Sequence, residues 1–203
     1  MGIVKNLNQI VVLLLLAMAS CHSAATHEEE EVVKNEGVEE RVALDILLIK
    51  NQFVLNDQLF KNVLVDISEA DANIQINGNT NSIKWITGHI LNIAHNLVKM
   101  LGGSDANPYK PFFGSGKPFD PAADYPPLVQ MIEDWNTLSP QIAQGIEQLS
   151  LQQLDAPSPF PIPFFEMQSI RGTLSFQMHH IGYEIGQIGL YRRYLGKAAM
   201  SYK

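Results

Sequence analysis

The sequence predicts an all-α protein, a four-helix bundle that follows a segment outside the fold. Apolar residues recur at three- and four-residue spacing in four separate stretches, and no stretch alternates convincingly as a strand would. The chain has 203 residues, of which 46% are hydrophobic, which suits one core and is too little for two comfortable domains. Long connections after the second and third helices permit an order other than simple up-and-down.

The first helix is expected from about Val42 to Ile67, with an apolar face made by Leu44, Leu48, Leu55, Leu59 and Val63. "NGNTNS" then breaks the chain, and Asn81 or Ser82 is suited to cap a second helix. Its stripe is Ile86, Ile90, Ile93 and Leu97, and it is expected to end at Gly102-Gly103.

Residues 103–126 hold five prolines and five aromatic residues and predict a long irregular connection, of the kind that tends to be functional or mobile. The third helix follows, with an apolar stripe from Leu128 to Leu149. Pro140 is expected to kink this helix, or to restart it with Ser139 as the cap. A second loop, "DAPSPFPIPFF", leads into the last helix, expected from roughly Met167 to Leu195.

The first twenty residues have the features of a signal peptide. Lys5 supplies a positive start, Ile10 to Ala17 is an apolar run, and small residues follow at Ala19 and Ser20. The run is short for a membrane span, which needs roughly 20 such residues. Export is therefore the prediction.

Cys21, the single cysteine of the chain, comes directly after this segment, and "AMASC" resembles a bacterial lipoprotein signal. That resemblance implies a lipid anchor on Cys21, and a lone cysteine could form no internal disulfide in an oxidising compartment. The alternative is ordinary cleavage after Ala19, which would leave a soluble periplasmic protein. Residues 21–41 are acidic and polar and predict a flexible tether, so that the bundle domain occupies residues 42–203.

The charge distribution argues against nucleic acid as a partner. The net charge is −7, but seven of the 21 acidic residues lie between Glu28 and Glu40, in the expected tether. From Val42 onward 14 acids oppose 11 bases, which gives −3 and no basic face to neutralise phosphates.

A row of polar residues beside the core stripe of the last helix is the first candidate site. His180 and Glu184 lie one turn apart, displaced by one residue from a stripe that includes Ile181 and Ile185. His89 has the same marginal position on the second helix, so the three side chains could converge on one divalent metal ion. The alternative is that His180 and Glu184 form an ordinary hydrogen-bonded or solvated pair.

"NSIKWITGHIL" and, ninety residues later, "HHIGYEIGQIGLYRRYLG" resemble the DinB-like superfamily of four-helix bundles over most of residues 42–198. The resemblance implies a divalent metal held by three histidines, one in the second helix and two in the last. The corresponding positions here are His89, His180 and Glu184, so a carboxylate replaces one imidazole.

A His-His-Glu set still binds zinc or ferrous iron, and its added charge favours harder metals, so zinc, nickel, manganese and iron are all candidates. The alternative is a site that has lost its metal. His179 and Gln187 are candidates for orienting the ligands. His95 lies off the His89 row and is expected to be structural.

Gly182, Gly186 and Gly189 form a further row on the last helix, and each costs about 1 kcal/mol relative to alanine. Close approach of another helix, from the bundle or from a second subunit, would offset that cost. The superfamily often forms dimers through its helices, so the resemblance implies a homodimer.

Relatives in the superfamily include metal-dependent thiol transferases and isomerases, which implies a metal that activates water or a thiol for a small substrate. No cysteine and no serine elbow supplies an independent nucleophile in residues 42–203. Export favours a hydrolase over a thiol transferase, because low-molecular-weight thiols are chiefly cytosolic. The alternative is a non-catalytic binding or structural lipoprotein, with aromatic loops at Tyr109, Phe112, Phe113 and 160–165 as its recognition surface or simply as lids on the core.

Overall fold

The computed structural model describes residues 40–104, 106–114 and 116–202. Within these ranges the secondary structure is helical and includes no strand, apart from an isolated bridge between Pro157 and Ser169. The predicted all-α class is confirmed. Contacts divide the chain into two units, Met1–Leu44 and Asp45–Lys203, and the bundle belongs to the second.

Four long helices make up the bundle, and short helices lie in the connections. In chain order they are α1 (residues 40–63), α2 (Glu69–Ala72), α3 (Ile83–Met100), α4 (Lys110–Phe113), α5 (Leu128–Glu147), α6 (Leu151–Asp155) and α7 (Ile170–Tyr194), with a 3-10 turn at Ile76–Gly78. None of the helices in the described ranges is long and apolar enough to cross a membrane.

The first and last long helices run in the same direction. Asp45 forms an ion pair with Arg171 near the start of α7. Further along both helices, the Asn56 amide donates to the Met178 carbonyl at 2.8 Å. Because both partners advance along the sequence together, α1 and α7 are parallel.

The third long helix, α5, runs against α1. Lys50 forms an ion pair of 2.7 Å with Glu147, at the far end of α5. Asp57, two turns later on α1, accepts a hydrogen bond of 2.8 Å from the Trp135 indole, which comes earlier in α5. The pairing order is reversed, so these helices are antiparallel.

Helices α3 and α5 point the same way, because their starts meet at one end of the bundle. Glu69 pairs with Lys84 at the start of α3 and accepts from the Leu128 backbone at 2.8 Å, where no side chain of α5 itself caps the helix. At the other end, the Leu101 side chain lies over Gly145. The order is therefore up-down-down-up, one of the arrangements that long connections permit.

This topology explains the length of the connection between α3 and α5. Parallel helices require the chain to return the length of the bundle, and the connection does so along α3. The Asn107 amide donates to the Asn92 and Asn96 side chains at 3.0 and 3.1 Å, and Phe113 then reaches Gly88 near the start of α3. The predicted irregular excursion is present, and α4 is the short helix within it.

The predicted core face of α1 was partly wrong. Leu48 is 62% exposed and Leu55 48% exposed, and Leu44 is exposed as well. Leu59 and Val63 are buried, as predicted. The observed core face, centred about one residue away, is made by Ile49, Phe53, Phe60, Val63 and Leu64.

Two aromatic residues set that face. Phe53 and Phe60 lie against Trp135 of α5, with ring centroids 6.1 and 4.5 Å from the indole. Aromatic side chains bury more area than leucine and gain from mutual contact, so their spacing outweighs the leucine pattern in deciding which side of α1 faces the core.

The stripes predicted for α3 and α7 are buried, and serine side chains cap both helices. Ser82 accepts from the Trp85 backbone at 3.2 Å, as expected, and Ser169 accepts from Gly172 at 3.3 Å. The last helix therefore starts at residue 170 rather than 167. The predicted restart at Pro140 was wrong, because α5 continues through that proline as one helix.

The predicted signal peptide (residues 1–20) and the lipidation site Cys21 lie outside the described residues. Most of the predicted tether, residues 21–41, lies outside them as well. At residue 40 the described chain is already helical.

Candidate metal centre

The three predicted ligands meet between α3 and α7. His89 Nδ1 lies 2.5 Å from Glu184 Oε1, and His180 Nε2 lies 3.2 Å from the same oxygen. One ligand atom from each residue falls within 4.8 Å of the other two. The i and i+4 spacing places His180 and Glu184 on one side of α7, and α3 brings the second imidazole opposite them.

Glu184 is the buried member of the set, with only 5% of the residue exposed. Both histidine contacts go to Oε1, while Oε2 is buried and finds no hydrogen-bond partner in the described chain. A buried carboxylate oxygen without a partner is costly, and a bound cation would remove that cost. The His89 and His180 side chains are 20% and 30% exposed, so the centre opens to solvent on the imidazole side.

Glu184 stays ionised in spite of its burial. Burial by itself would raise the pKa of this carboxyl, but hydrogen bonds from His180 and His89, together with their positive charge when protonated, outweigh it and hold the pKa below its usual value of 4.5. The chain therefore keeps an anionic oxygen between two imidazoles, which is the protonation state that a metal ligand requires.

Two of the three donor–donor distances suit a divalent ion, and the third pair, His89 and His180, has ligand atoms within 4.8 Å of each other. Two ligand atoms that share a tetrahedral zinc ion stand about 3.3 Å apart, given bonds of about 2.0–2.1 Å. The His180 to Glu184 distance of 3.2 Å meets that value, and the His89 to Glu184 distance of 2.5 Å would open by less than about 1 Å. Three protein ligands leave further positions for water or substrate, as in catalytic rather than structural sites.

Aromatic rings fix the orientation of both imidazoles. Trp85, one turn before His89, stacks on its ring at 5.1 Å and 29°. Phe176 lies 5.7 Å from the ring of His180. Phe113 of α4 in turn meets the edge of Trp85. This support was not predicted from the sequence, although the spacing of four residues between Trp85 and His89 is a signal for it.

The family model described as the DinB superfamily matches residues 52–188. The match covers more than half of the chain and includes all three candidate ligand residues. The chain belongs to the DinB superfamily. No curated protein matches it. In this DinB superfamily protein the third candidate donor is the carboxylate of Glu184, at a position where the resemblance leads one to expect an imidazole.

The two residues suggested as supports for the ligands occupy different positions in this DinB superfamily bundle. His179 is exposed, and Gln187 is partly exposed one turn beyond Glu184. In the part of the chain that the structure describes, the hydrogen bonds of the Glu184 carboxylate go to His89 and His180, and none joins it to His179 or Gln187.

His95 belongs to a separate cluster and not to the metal centre. Its ring lies 5.6 Å from the buried ring of Tyr109, whose hydroxyl donates to Asp134 at 2.5 Å. Burial lowers the pKa of His95 and also raises the pKa of Tyr109, so both stay neutral around neutral pH. The cluster pins the long connection to α3 and α5, as the structural interpretation of His95 requires.

The glycine row of α7 is covered in part by α1. A Cβ on Gly182 would stand 3.3 Å from Asn56 Oδ1, and one on Gly189 would stand 4.0 Å from Val63. A Cβ on Gly186 would meet no atom of the described residues within 4 Å. Close helix approach therefore accounts for Gly182 and, more loosely, for Gly189.

Proposed function

We propose that this protein binds one divalent metal ion through His89, His180 and Glu184 and uses it to hydrolyse a small substrate. The buried Oε2 of Glu184 is the observation that supports this most directly, because an ionised oxygen without a partner beside two imidazoles matches a cation better than any other occupant. Membership of the DinB superfamily supports the same function.

Each ligand has its own role in this proposal. When bound, the ion supplies Lewis-acid activation of water near neutral pH. Glu184 provides the negative charge, and its burial prevents water from weakening that interaction. His89 and His180 complete the set while their exposed edges leave the reacting face open. The stacked Trp85 holds the His89 ring in place.

The metal proposed is zinc, iron, manganese or nickel. Imidazole suits all four, and the carboxylate shifts preference toward the harder ions relative to a three-histidine set. Zinc and ferrous iron are the two that a His-His-Glu set serves in other proteins.

Hydrolysis is preferred to thiol transfer because of where the protein is proposed to act. The apolar segment Ile10–Ala17 and Cys21 support export with a lipid anchor in the cell envelope, away from cytosolic thiols. Mass spectrometry of the membrane fraction is expected to find diacylglycerol on Cys21. An unmodified soluble chain would rule the anchor out.

A homodimer is proposed through the outer face of α7. Tyr183, Leu190 and Tyr194 are 64%, 66% and 56% exposed there, and Gly186 lies open between them. Exposed apolar side chains concentrated on one face are typical of an association surface. Light scattering is expected to give twice the chain mass, and Leu190→Glu is expected to give a monomer.

The metal proposal is tested by elemental analysis of protein purified without chelator. We expect one ion per chain in the wild type and little in His180→Ala. His179→Ala is the matched control, because His179 is the exposed neighbour on the same helix and its variant should keep the ion. Metal-free wild type, or equal metal in the two variants, contradicts the proposal.

Turnover is tested with a panel of small esters and amides. We expect hydrolysis by the metal-loaded protein that falls at least about a hundredfold in Glu184→Gln, which keeps the shape and removes the charge. A stable, metal-loaded protein without turnover on any substrate would instead favour the non-catalytic envelope protein.

A further inference from the structure

A cavity of about 350 Å³ lies between α3, α7 and the connection of residues 156–169. Its walls include Ile93, Leu97 and Met100 on one side and Thr173 and Gln177 on the other, with Phe160 over them. Its volume falls within the range of small-molecule sites, about 300–1,000 Å³. The sequence did not predict this cavity.

The cavity starts one helical turn from the candidate metal centre. Ile93 follows His89 by four residues, and Gln177 precedes His180 by three. Because α3 and α7 are antiparallel, both steps lead in the same direction, away from Glu184. One turn rises about 5.4 Å, so a ligand bound at the centre would need only a short link to enter the cavity.

The cavity is apolar along most of its length. No acidic side chain is among its lining residues in the described chain, and the positions from Ile93 to Met100 extend along about 10 Å of helix. Such walls bind a linear apolar group of matching length and gain free energy with each buried methylene.

Four polar side chains also line the cavity: Asn96 and Lys99 are exposed, the Thr173 hydroxyl is hydrogen-bonded to Ser158, and Gln177 lies at the end nearest the metal centre. The side-chain oxygen of Gln177 is buried and has no hydrogen-bond partner in the described residues. An N–H or O–H donor of a ligand would pair with this acceptor. Ligands that place only apolar groups against it would bind less well.

We propose that the substrates are small acyl compounds with a linear apolar tail about 10 Å long, which lies in this cavity, and an N–H or O–H donor near the acyl group, which pairs with Gln177. The assignment rests on the proposed hydrolytic function of the same centre. The acyl carbon would then stand at the metal centre while the tail extends toward Phe160 and Met100.

Binding of two series of probes tests the proposal. Straight-chain hydroxamates, from acetyl to decanoyl, carry a metal-chelating head and an N–H donor and are titrated into metal-loaded protein. Primary alcohols of the same chain lengths, which lack the chelating head, are titrated into metal-free protein. Calorimetry measures both. We expect affinity to rise about two- to fourfold per methylene until the tail fills the cavity, and then to level off.

Variants locate the tail and the donor. Phe160→Ala removes part of the far wall and is expected to weaken decanoyl hydroxamate about fivefold, while acetyl hydroxamate is unchanged. Gln177→Leu is expected to weaken N–H hydroxamates but not their N-methyl analogues. Phe164→Ala is the matched control, because Phe164 is a fully exposed phenylalanine of the same connection that does not line the cavity.

The two series separate this proposal from the metal function. If hydroxamates of every chain length bind equally well, the cavity assignment is overturned, but the metal proposal is not affected. A second outcome is that the protein takes up no metal and yet binds the alcohols with the expected chain-length dependence. That outcome supports the cavity assignment and overturns the hydrolytic function. If Phe160→Ala and Phe164→Ala change the chain-length dependence equally, the tail binds elsewhere and the proposal is overturned.

Discussion

The ring of Phe113 fills the space in which a side chain on Gly88 would begin. Gly88 is the residue before His89, and Phe113 is fully buried. The long connection between α3 and α5 therefore packs on the helix surface directly beside the candidate metal centre. The glycine before that histidine is explained by this close approach of an aromatic ring.

Gly88→Ala is expected to destabilise the protein by about 1–3 kcal/mol, because the new Cβ would overlap three ring atoms of Phe113. The displaced ring would also disturb Trp85, so metal affinity is expected to fall. Urea denaturation and metal titration measure the two effects.

The control for Gly88→Ala is Gly186→Ala on α7. Among the described residues nothing lies within 4 Å of the added Cβ there. In the Leu190→Glu background, which removes the proposed dimer contact around Gly186, only helix propensity acts, and stability is expected to rise by up to about 1 kcal/mol. Equal changes in the two variants would show that packing against Phe113 does not matter.

Glu184→His is expected to bind metal and to change which metal it prefers. The substitution replaces an anionic oxygen by a neutral nitrogen at the same point, so affinity for manganese should fall relative to zinc. Competition titrations with the two ions measure the ratio. A ratio unchanged from the wild type would mean that the Glu184 side chain does not contact the ion.

The fold was predictable where one stripe of apolar residues dominates a helix, as in α3 and α7. It was not predictable in α1, where Leu48 and Leu55 are as well spaced as Phe53 and Phe60. Only the position of Trp135 on another helix decides between those two faces, and spacing along one helix does not contain that information.

The convergence of His89, His180 and Glu184 was predictable because its signals are local. His180 and Glu184 are one turn apart, and His89 lies in a short segment typical of one family. The contacts around the centre join residues that are far apart in the sequence. Phe113 packs on Gly88, and Phe160 of the connection before α7 lines the neighbouring cavity. The spacing of apolar residues along one helix does not predict such long-range contacts.

Arg192→Met is expected to destabilise the protein by about 2–3 kcal/mol. Arg192 is only 4% exposed, and its guanidinium donates to the Val63 carbonyl at 3.0 Å and to Ala198 at 3.1 Å, so it joins the end of α1 to α7. Methionine would leave those carbonyls unpaired. Thermal and urea unfolding give the size of the loss.

Arg193→Met serves as the comparison for Arg192→Met. The neighbouring arginine is exposed and donates to the Lys197 carbonyl at 3.1 Å within its own helix end, so the change should stay within about 0.5 kcal/mol. Similar losses in both variants would mean that the link to α1 contributes little.

Asp71→Asn is expected to remove part of the acid sensitivity of the fold. Hydrogen bonds from the Ser68 hydroxyl and backbone, together with Lys197 at 3.0 Å, lower the pKa of Asp71 from 3.8 to about 2. A depressed carboxyl pKa stabilises the folded state above the unfolded value, and that stabilisation is lost as the pH falls from about 4 to about 2. The free energy of unfolding, measured across this range, should therefore decline less in the variant. Ser68→Ala should also reduce the decline of the unfolding free energy, since it removes the strongest of these hydrogen bonds. If both variants lose stability with falling pH as steeply as the wild type, the pKa of Asp71 is not the cause.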